Sequence, residues 1–308
     1  MAVKVAIAGG TGNLGPAIVN ALLNANYHVT VLTRKGSNSA SKLPKHANIS
    51  VAEVDYSSVE SLTEALKGHK VVVSTVGTEL LGGQNPLIDA AIAAGVTRFL
   101  PSEFGSNTPN PKSSQLPVFQ PKVATQKYLK EKAAENPNFS YTLVINGPFF
   151  DWGIKVGFVA NPAKHAITVY NGGDIPFSAT NLDTIGQAVV GVIEHLDETK
   201  NRPVYIQSTA TTQNQLIAYG KEKDGKDWDV TPKDTKQVYK ESLAELQKGA
   251  DGNIGAAMVG FIFTSVFEEG YGGNWSDKTD NELLGLKEMS DNDVKAFVQG
   301  LLPSSSSL

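Results

Sequence analysis

Apolar residues in the first half of the chain form short runs that alternate with segments of helical spacing. In those segments the apolar residues stand three or four positions apart, as in Ala17–Leu23, Ser61–Leu66 and Leu87–Ala94. Strands that alternate with helices are typical of a parallel sheet covered on both faces. The pattern therefore predicts an α/β fold with a doubly wound parallel sheet, whose strands lie near residues 3–8, 28–33, 49–54, 70–75, 97–101 and 141–146.

The rhythm of this pattern changes after Gly147. Two apolar runs, 167–170 and 175–178, flank a glycine-rich turn sequence at 171–174. Two short strands joined by such a turn are typical of a β-hairpin, which we predict here. The chain ends in Pro-Ser-Ser-Ser-Ser-Leu, residues 303–308, which we expect to be a frayed tail.

The first predicted strand runs directly into a glycine-rich turn and then into a helix. Val3, Val5 and Ile7 alternate before the sequence Gly-Gly-Thr-Gly-Asn-Leu-Gly at 9–15. Glycines allow a tight turn and close approach of a pyrophosphate, and the helix N-terminus offers unpaired N–H groups to the anion. The alternative is an ordinary strand-to-helix turn. In this context we predict a dinucleotide phosphate site formed by Gly9, Thr11, Gly12, Asn13, Leu14 and Gly15.

A glycine turn at the start of an alternating α/β pattern is typical of the Rossmann fold. A helix around 182–196 and a strand at 204–207 are expected to return to its sheet, and the last third of the chain is mainly helical. We therefore expect a dinucleotide-binding Rossmann domain and a smaller, mainly helical C-terminal substrate lobe. The domain comprises residues 1–150 with 179–208, and the lobe comprises 151–178 and 209–308.

The end of the second strand indicates which dinucleotide is bound. NAD-binding versions of the fold have an acidic residue there, whereas this chain has Arg34 followed by Lys35. A guanidinium can bind a 2′-phosphate through two parallel hydrogen bonds, which a carboxylate would repel. The sequence therefore predicts NADP(H) rather than NAD(H); the alternative is two solvated cations on a loop. By position alone, further cofactor contacts or ordinary strand-end turns are expected at Asp55, Thr75, Val76 and Gly77.

Composition narrows the possible partners. The chain has 308 residues, a net charge of −4 and no cysteine, which disfavours nucleic-acid binding and fits a reducing compartment. We expect no signal peptide, because Lys4 and the glycine turn interrupt any apolar run at the start, and the apolar segment 255–267 is shorter than the roughly 20 residues of a membrane span, so it predicts a buried helix. The five histidines lack ligand spacing. We expect a cytoplasmic monomer or homodimer without metal or membrane attachment.

The proton donor of the site is harder to identify. Short-chain dehydrogenases use Tyr-x-x-x-Lys, in which the lysine lowers the pKa of the tyrosine phenol. The string occurs at Tyr128–Lys132 and Tyr219–Lys223, and neither position suits the site. Lys122 instead stands on the first turn of the helix before the sixth strand, beside the carboxyl ends of the strands. Four places before it is Val118, so the phenol is missing.

These residues together resemble a known family. The glycine turn at 9–15, Arg34, the string Ala-Gly-Val-Thr-Arg-Phe-Leu-Pro-Ser-Glu-Phe-Gly at 94–105, and Lys122 are similar to the isoflavone reductase-like branch of the NmrA-like, atypical short-chain dehydrogenases. That branch includes phenylcoumaran benzylic ether, pinoresinol and eugenol-forming reductases. The resemblance implies NADPH as cofactor and Lys122 as the single catalytic lysine. Where the family usually has an arginine one turn later, this chain has Gln126.

Other residues that end strands are candidates by position. Ser102 and Glu103 follow the fifth strand and are expected either to border the nicotinamide or to serve as capping and turn residues. Residues that end the sixth strand are expected to line the hydride-transfer pocket or to pack in the core: Asn146, Gly147, Pro148, Phe149 and Phe150.

The sequence therefore predicts an NADPH-dependent reductase that transfers hydride to a small conjugated, aromatic or polyketide-like molecule. Lys122 can act as general acid or, with a lowered pKa, as base. One alternative is an NmrA-like protein that senses NADP(H) and controls a partner without turnover. Another is a reductase in which Tyr128 or Tyr170 supplies the acid.

Overall fold

The computed structural model describes residues 3–303, so the predicted tail lies outside the described residues from position 304 onward. The strands are β1 (Lys4–Ala8), β2 (His28–Arg34), β3 (Ile49–Val54), β4 (Val71–Ser74), β5 (Arg98–Leu100), β6 (Ser140–Ile145), β7 (Ala166–Tyr170), β8 (Phe177–Ala179), β9 (Arg202–Tyr205), β10 (Thr209–Thr211) and β11 (Asp229–Lys233). The helices are α1 (Gly15–Asn24), α2 (Val59–Leu66), α3 (Asn85–Ala93), α4 (Gln120–Glu135), α5 (Phe150–Lys155), α6 (Leu182–Glu194), α7 (Gln213–Asp224), α8 (Thr235–Gln247), α9 (Ile254–Phe267) and α10 (Asp291–Gly300).

The main sheet has seven parallel strands in the order β3-β2-β1-β4-β5-β6-β9. Side chains alternate between its two faces: Val5 and Ile7 pack with α1 and α6, whereas Ala6 and Ala8 pack with α2 and α3. Because helices cover both faces, whole strands are buried, as in β4 and β6, and most of their residues are apolar. The predicted doubly wound α/β fold is confirmed.

Helix α6 and strand β9 extend this sheet after the chain has left it. The predicted strand at 204–207 is observed two residues earlier, as β9, and it pairs in parallel with β6. Helix α6 packs closely on α1, since a Cβ on Gly186 would lie 2.6 Å from the Ala17 carbonyl oxygen. No larger residue fits at that crossing without a shift of one helix.

A third apolar cluster lies between the segment after β6 and the C-terminal helices. Its members come from α5, β7, β8, α7, α8, α9 and α10 and from the loops between them, and four of the largest are Phe150, Phe177, Trp228 and Phe267. Helix α9 corresponds to the predicted buried helix, although Ile254 and Val259 remain exposed near its start. No helix between residues 3 and 303 is both long and apolar enough to cross a bilayer.

The predicted hairpin at 167–178 is wrong. Strand β7 pairs in parallel with β11, and β8 pairs antiparallel with β10. Asn171, Gly172 and Gly173 have positive φ angles of 48°, 82° and 84° and form the turn after β7, but the strand that follows pairs with β10 instead of returning along β7. The amide of Tyr170 instead donates to the Gln213 side chain at 2.8 Å, which ties the end of β7 to α7.

Candidate functional site

The glycine turn joins β1 to α1 at the carboxyl edge of the sheet. Gly9 has a φ of 82°, and a Cβ there would lie 2.5 Å from the Thr75 carbonyl oxygen. A Cβ on Gly15 would lie 2.4 Å from the Gly10 carbonyl carbon. Gly12 is different, because the nearest atom to its Cβ would be the Gly9 oxygen at 3.5 Å. Two of the glycines are thus required by the chain itself, and the third leaves an open surface.

The first turn of α1 faces this open surface. Its N-cap is Leu14, which forms no side-chain cap. Pro16 has no N–H and the Ala17 amide donates to the Leu14 carbonyl at 3.1 Å, so the Gly15 N–H is the first-turn donor that remains available to an anion. Thr11 and Asn13 lie on the exposed side of the turn, half-buried and exposed respectively. The Leu14 side chain is buried in the core, so only its backbone faces the turn.

Arg34, the last residue of β2, lies on the same cavity as the glycine turn. This cavity has a volume of about 490 Å³ and is lined by Gly9, Thr11, Arg34, Val76 and Gly77, among others. Arg34 and Lys35 also border a neighbouring cavity of about 600 Å³ that contains Asp55. Within residues 3–303, no carboxylate forms an ion pair with Arg34. Its guanidinium is therefore free to bind a ligand.

Three of the predicted strand-end residues make local hydrogen bonds. Asp55 accepts from the Ser57 amide and hydroxyl at 2.9 and 2.6 Å, and these bonds lower the pKa of the exposed Asp55 carboxyl. The Thr75 hydroxyl donates to the Ala8 carbonyl at 3.0 Å. The Ser102 hydroxyl donates to the Val76 carbonyl at 2.8 Å, which fixes the loop after β4. These contacts shape the edge of the sheet.

Lys122 is the third residue of α4 and reaches back to the loop after β5. Its ammonium donates a hydrogen bond to the Glu103 carbonyl oxygen, and a Cβ on Gly105 would lie 3.4 Å from its Nζ. Burial lowers the pKa of the Lys122 amine, and the nearby charge of Glu103 acts in the opposite direction. The Glu103 side chain is buried and turned away from the described cavities.

The Lys122 ammonium borders an apolar cavity of about 190 Å³. Phe149 and Trp152 meet edge to face on one wall, with their ring centroids 6.3 Å apart. Of the residues named for this wall from the sequence, Gly147, Pro148 and Phe149 line the cavity, whereas Phe150 packs in the third apolar cluster. Trp152, Phe158 and Ile262 were not predicted from the sequence. Trp152 stands one helical turn after Phe149, which is a signal in the sequence; Ile262 comes from α9 and had none. The lining residues are Phe104, Gly105, Ser106, Phe119, Lys122, Gly147, Pro148, Phe149, Trp152, Phe158 and Ile262.

Asn146 lies behind this cavity rather than on its wall. Its side-chain amide donates to the Gly147 carbonyl at 2.7 Å, and its backbone amide donates to the Gly105 carbonyl at 3.2 Å. The Asn146 Oδ1 has no partner within the described chain. Asn146 therefore holds the Gly105 and Gly147 segments together at the carboxyl ends of β5 and β6.

The tyrosines considered as alternative acids have other contacts. The Tyr128 hydroxyl donates to Asp89 at 2.6 Å, and burial with this bond raises the pKa of Tyr128 to about 12. Tyr170 stacks on Phe263 and Phe267, and burial raises its pKa to about 12. Neither tyrosine lines the Lys122 cavity. The geometry therefore favours Lys122 over either phenol.

The second Tyr-x-x-x-Lys string, on α7, binds α10 instead of a ligand. The Tyr219 hydroxyl donates to Asp291, and the Lys223 ammonium donates to the Gln299 carbonyl at 2.9 Å. In the described part of the chain, no group of three histidine, aspartate or glutamate side chains is arranged to hold a metal ion.

Comparisons with known proteins place the chain in a family. A model of the NmrA-like family matches residues 1–270. The oxidoreductase aprR of Aspergillus flavus is 34% identical over 303 residues, which cover 97% of this chain and 99% of that protein. The isoflavone reductase homolog IRL of Zea mays is 29% identical over 236 residues, which cover 72% of this chain and 75% of that protein.

Solved structures share the fold. The complex titled "AtPrR2 with NADP+ and (+)pinoresinol" has a TM-score of 0.77 at 24% identity and covers 96% of this chain and 99% of its own. A crystal structure of isoflavone reductase has a TM-score of 0.78 at 20% identity, covering 98% and 100%. The resemblance to isoflavone reductase-like proteins is thereby confirmed. Since the family model spans most of the chain and a relative exceeds 30% identity along nearly all of it, the chain belongs to the NmrA-like family.

Proposed function

We propose that the chain is an NADPH-dependent oxidoreductase that transfers hydride to a small conjugated, aromatic or polyketide-like molecule, with Lys122 as its acid/base group. One observation carries the proposal. The Lys122 ammonium borders a cavity walled by aromatic rings, and it lies at the sheet edge that also carries the glycine turn. Relatives named oxidoreductase and isoflavone reductase homolog support the same reaction class.

The nucleotide end of the site fits NADP(H). The open face of Gly12 and the uncapped start of α1 leave room and an N–H donor for a pyrophosphate. Arg34, without an ion pair in the described chain, would bind a 2′-phosphate, with Lys35 adjacent. When bound, NADPH supplies the hydride. The residues that would hold it all lie on one edge of the sheet.

Lys122 acts on the substrate oxygen. Reduction of a conjugated carbon places negative charge on that oxygen, and an ammonium within an apolar cavity stabilises such charge more strongly than one in water. Because burial lowers the pKa of Lys122, its ammonium also gives up a proton more readily than that of an exposed lysine. Lys122 thus binds the oxygen and protonates it.

The cavity also supports the proposed division of the chain. Trp152 and Phe158 come from the segment 151–178, and Ile262 comes from 209–308, the two segments assigned to the substrate lobe. The nucleotide residues come from 1–150, whose sheet is extended by β9 from 179–208. A cytoplasmic location and a monomeric or homodimeric state stay predictions.

Replacement of Lys122 by Met tests the catalytic assignment. Turnover of NADPH with a panel of aromatic enones, quinone methides and aldehydes should fall at least about a hundredfold, because acid/base catalysis is removed. NADPH affinity, measured by fluorescence titration, should stay unchanged. Lys127→Met is the matched control, since Lys127 is exposed on the same helix.

Two outcomes would contradict this assignment. A Lys122→Met variant that turns over at the wild-type rate excludes Lys122 as the acid. Wild-type protein that binds NADPH tightly and reduces nothing in the panel favours the alternative, an NADP(H) sensor without turnover.

Replacement of Arg34 by Ala tests the choice of nucleotide. Loss of a charge-assisted phosphate contact should weaken NADPH binding about tenfold or more while NADH binding hardly changes. The ratio of the two dissociation constants is the measurement. Lys70→Ala is the control, because Lys70 is an exposed cation that precedes β4 at the opposite edge of the sheet. An unchanged ratio in Arg34→Ala would refute the assignment of NADP(H) specificity to Arg34.

A further inference from the structure

A chain of hydrogen bonds runs from Gln126 to the residue that holds Lys122. The Gln126 side-chain amide donates to the Thr108 hydroxyl oxygen at 2.7 Å, and the Thr108 hydroxyl donates to the Glu103 carboxylate. The backbone carbonyl of the same Glu103 accepts from the Lys122 ammonium. Lys122 and Gln126 are four residues apart on α4 and so stand on one face of the helix. This series of hydrogen bonds therefore starts and ends on the same face of α4.

The donors fix the direction of this chain. An amide nitrogen can only donate, so the Thr108 hydroxyl oxygen accepts from Gln126. Its single hydrogen is then donated to Glu103. A carboxyl oxygen of Glu103 accepts this hydrogen bond. Thr108 is 0% exposed and Glu103 is 1% exposed, so water does not compete with these bonds. The hydrogen-bond chain thus fixes the position of the Glu103 side chain.

In the described structure, Glu103 is the charged side chain whose attraction raises the pKa of Lys122, against the effect of burial. Other charged groups on α4, and on the elements packed around α4 and the cavity, are exposed or bonded elsewhere. Lys132 pairs with Glu135 at 3.2 Å near the end of α4. Exposed to solvent are Glu79, Lys112, Lys127, Lys130, Glu131, Glu135 and Lys155. Asp89 accepts from Tyr128, and Asp151 accepts from the Leu182 amide at 3.1 Å.

We propose that Gln126 and Thr108 are positioning residues, which hold Glu103 in place so that its carbonyl keeps the Lys122 ammonium at the cavity wall and its carboxylate stays near enough to attract that ammonium. This inference rests on the proposed role of Lys122 as the acid of the reaction. Without these hydrogen bonds, the Glu103 side chain is free to move away from Lys122, its attraction for the ammonium weakens, and burial has a larger effect on the Lys122 amine. The pKa of that amine then falls further.

Thr108→Val tests this inference, because it removes the hydroxyl and keeps the shape of the side chain. In the pH profile of kcat/KM, the alkaline limb, where activity is lost as the pH rises, should lie about one pH unit lower than in wild type. Thr108→Ser should restore the wild-type limb. Thr125→Val is the matched control: Thr125 is also buried on α4, but its hydroxyl donates only to the Pro121 carbonyl of its own helix, at 3.0 Å.

A second readout does not depend on turnover. Pulses of acetic anhydride at a series of pH values acetylate only the neutral amine, and peptide mass spectrometry gives the pH midpoint of Lys122 labelling. This midpoint should fall by about one unit in Thr108→Val and remain at the wild-type value in Thr108→Ser and Thr125→Val. If the labelling midpoint shifts while no variant turns over, the positioning chain stands and the proposed function fails.

An equal midpoint in wild type and Thr108→Val would overturn the inference. If Thr108→Val does not fold, Gln126→Leu replaces it, since Gln126 is only half-buried and tolerates substitution. Gln126→Leu should lower the labelling midpoint in the same direction by a smaller amount. An unchanged midpoint in that variant would overturn the inference equally.

Discussion

Strand β5 has a cation near each of its two ends, and the protein holds these two cations in different ways. At the amino end, Arg98 is 2% exposed, and burial lowers the pKa of its guanidinium to about 10. Its guanidinium donates to four neutral oxygens, those of Ser140, Thr142, Leu196 and Thr199. At the carboxyl end, the Lys122 ammonium donates to the Glu103 carbonyl and borders an open cavity.

The difference separates a charge that holds the fold from one that leaves donors for a ligand. Arg98 remains protonated at neutral pH, and four of its five N–H donors are bonded to the strands and loops around it, so it ties the amino edge of the sheet together. An ammonium has three donors, and Lys122 commits one of them to the carbonyl of Glu103. The remaining donors of Lys122 can bind a ligand oxygen, whereas most donors of Arg98 are already used within the fold.

The largest effect is expected at the structural end. Arg98→Met removes the cation and leaves its buried acceptors with fewer partners, at about 1 kcal/mol for each lost bond, so the free energy of unfolding should fall by about 3–4 kcal/mol. Urea unfolding followed by circular dichroism measures it. Arg202→Met is the control: Arg202 pairs with Asp280 at 2.8 Å but is partly exposed, and its loss should cost about 1 kcal/mol. Equal losses in the two variants would show that Arg98 is not a special structural charge.

The glycine turn allows a similar comparison within one loop, between a residue that the fold requires and one that leaves a surface open to a ligand. Gly9→Ala places a Cβ 2.5 Å from the Thr75 carbonyl oxygen in a left-handed backbone, and the free energy of unfolding should fall by about 2–3 kcal/mol. Gly12→Ala meets nothing closer than 3.5 Å, so stability should stay within about 1 kcal/mol of wild type. Its Cβ would instead occupy the surface offered to the pyrophosphate, and NADPH affinity should fall. A stable Gly9→Ala, or a Gly12→Ala with unchanged NADPH affinity, would contradict this division of roles.

The features that could be predicted from the sequence are those whose structure depends on residues close to each other along the chain. The turn between β1 and α1 is local, so glycine spacing and strand alternation suffice to place it. Lys122 could be placed on the first turn of α4 by counting back from the next strand. The α/β order followed from the alternation of apolar periods, and the strand positions were accurate to within about two residues.

The parts that the sequence could not predict depend on contacts between distant segments. The hairpin expected at 167–178 failed because the partner of β7 is β11, which lies beyond α7. Ile262 reaches the Lys122 cavity only because α9 packs beside it, and nothing near Ile262 in the sequence indicates this. The pattern of residues within a short stretch of sequence does not indicate which distant segments pair with it.

The smallest effect concerns Lys122 and distinguishes it from Arg98 most directly. Burial lowers the pKa of the Lys122 amine in the folded chain, whereas the unfolded chain keeps a value near about 10.4. The folded state therefore binds this proton less tightly than the unfolded state does. The protonated lysine opposes folding at every pH below its folded pKa, and this penalty fades as the pH rises through the folded pKa toward about 10.4.

Lys122→Met should consequently be at least as stable as wild type at pH 7, within about 1 kcal/mol, although it lacks the amine proposed as the acid. Its advantage should shrink as the pH rises toward 10, because the wild-type lysine becomes neutral in both states. Urea unfolding of both proteins at pH 7 and pH 10 gives the two differences, and Lys127→Met, at an exposed site, should show no such pH dependence. If Lys122→Met is markedly less stable than wild type at pH 7, then Lys122 stabilises the fold as Arg98 does, and the contrast between the two ends of β5 fails.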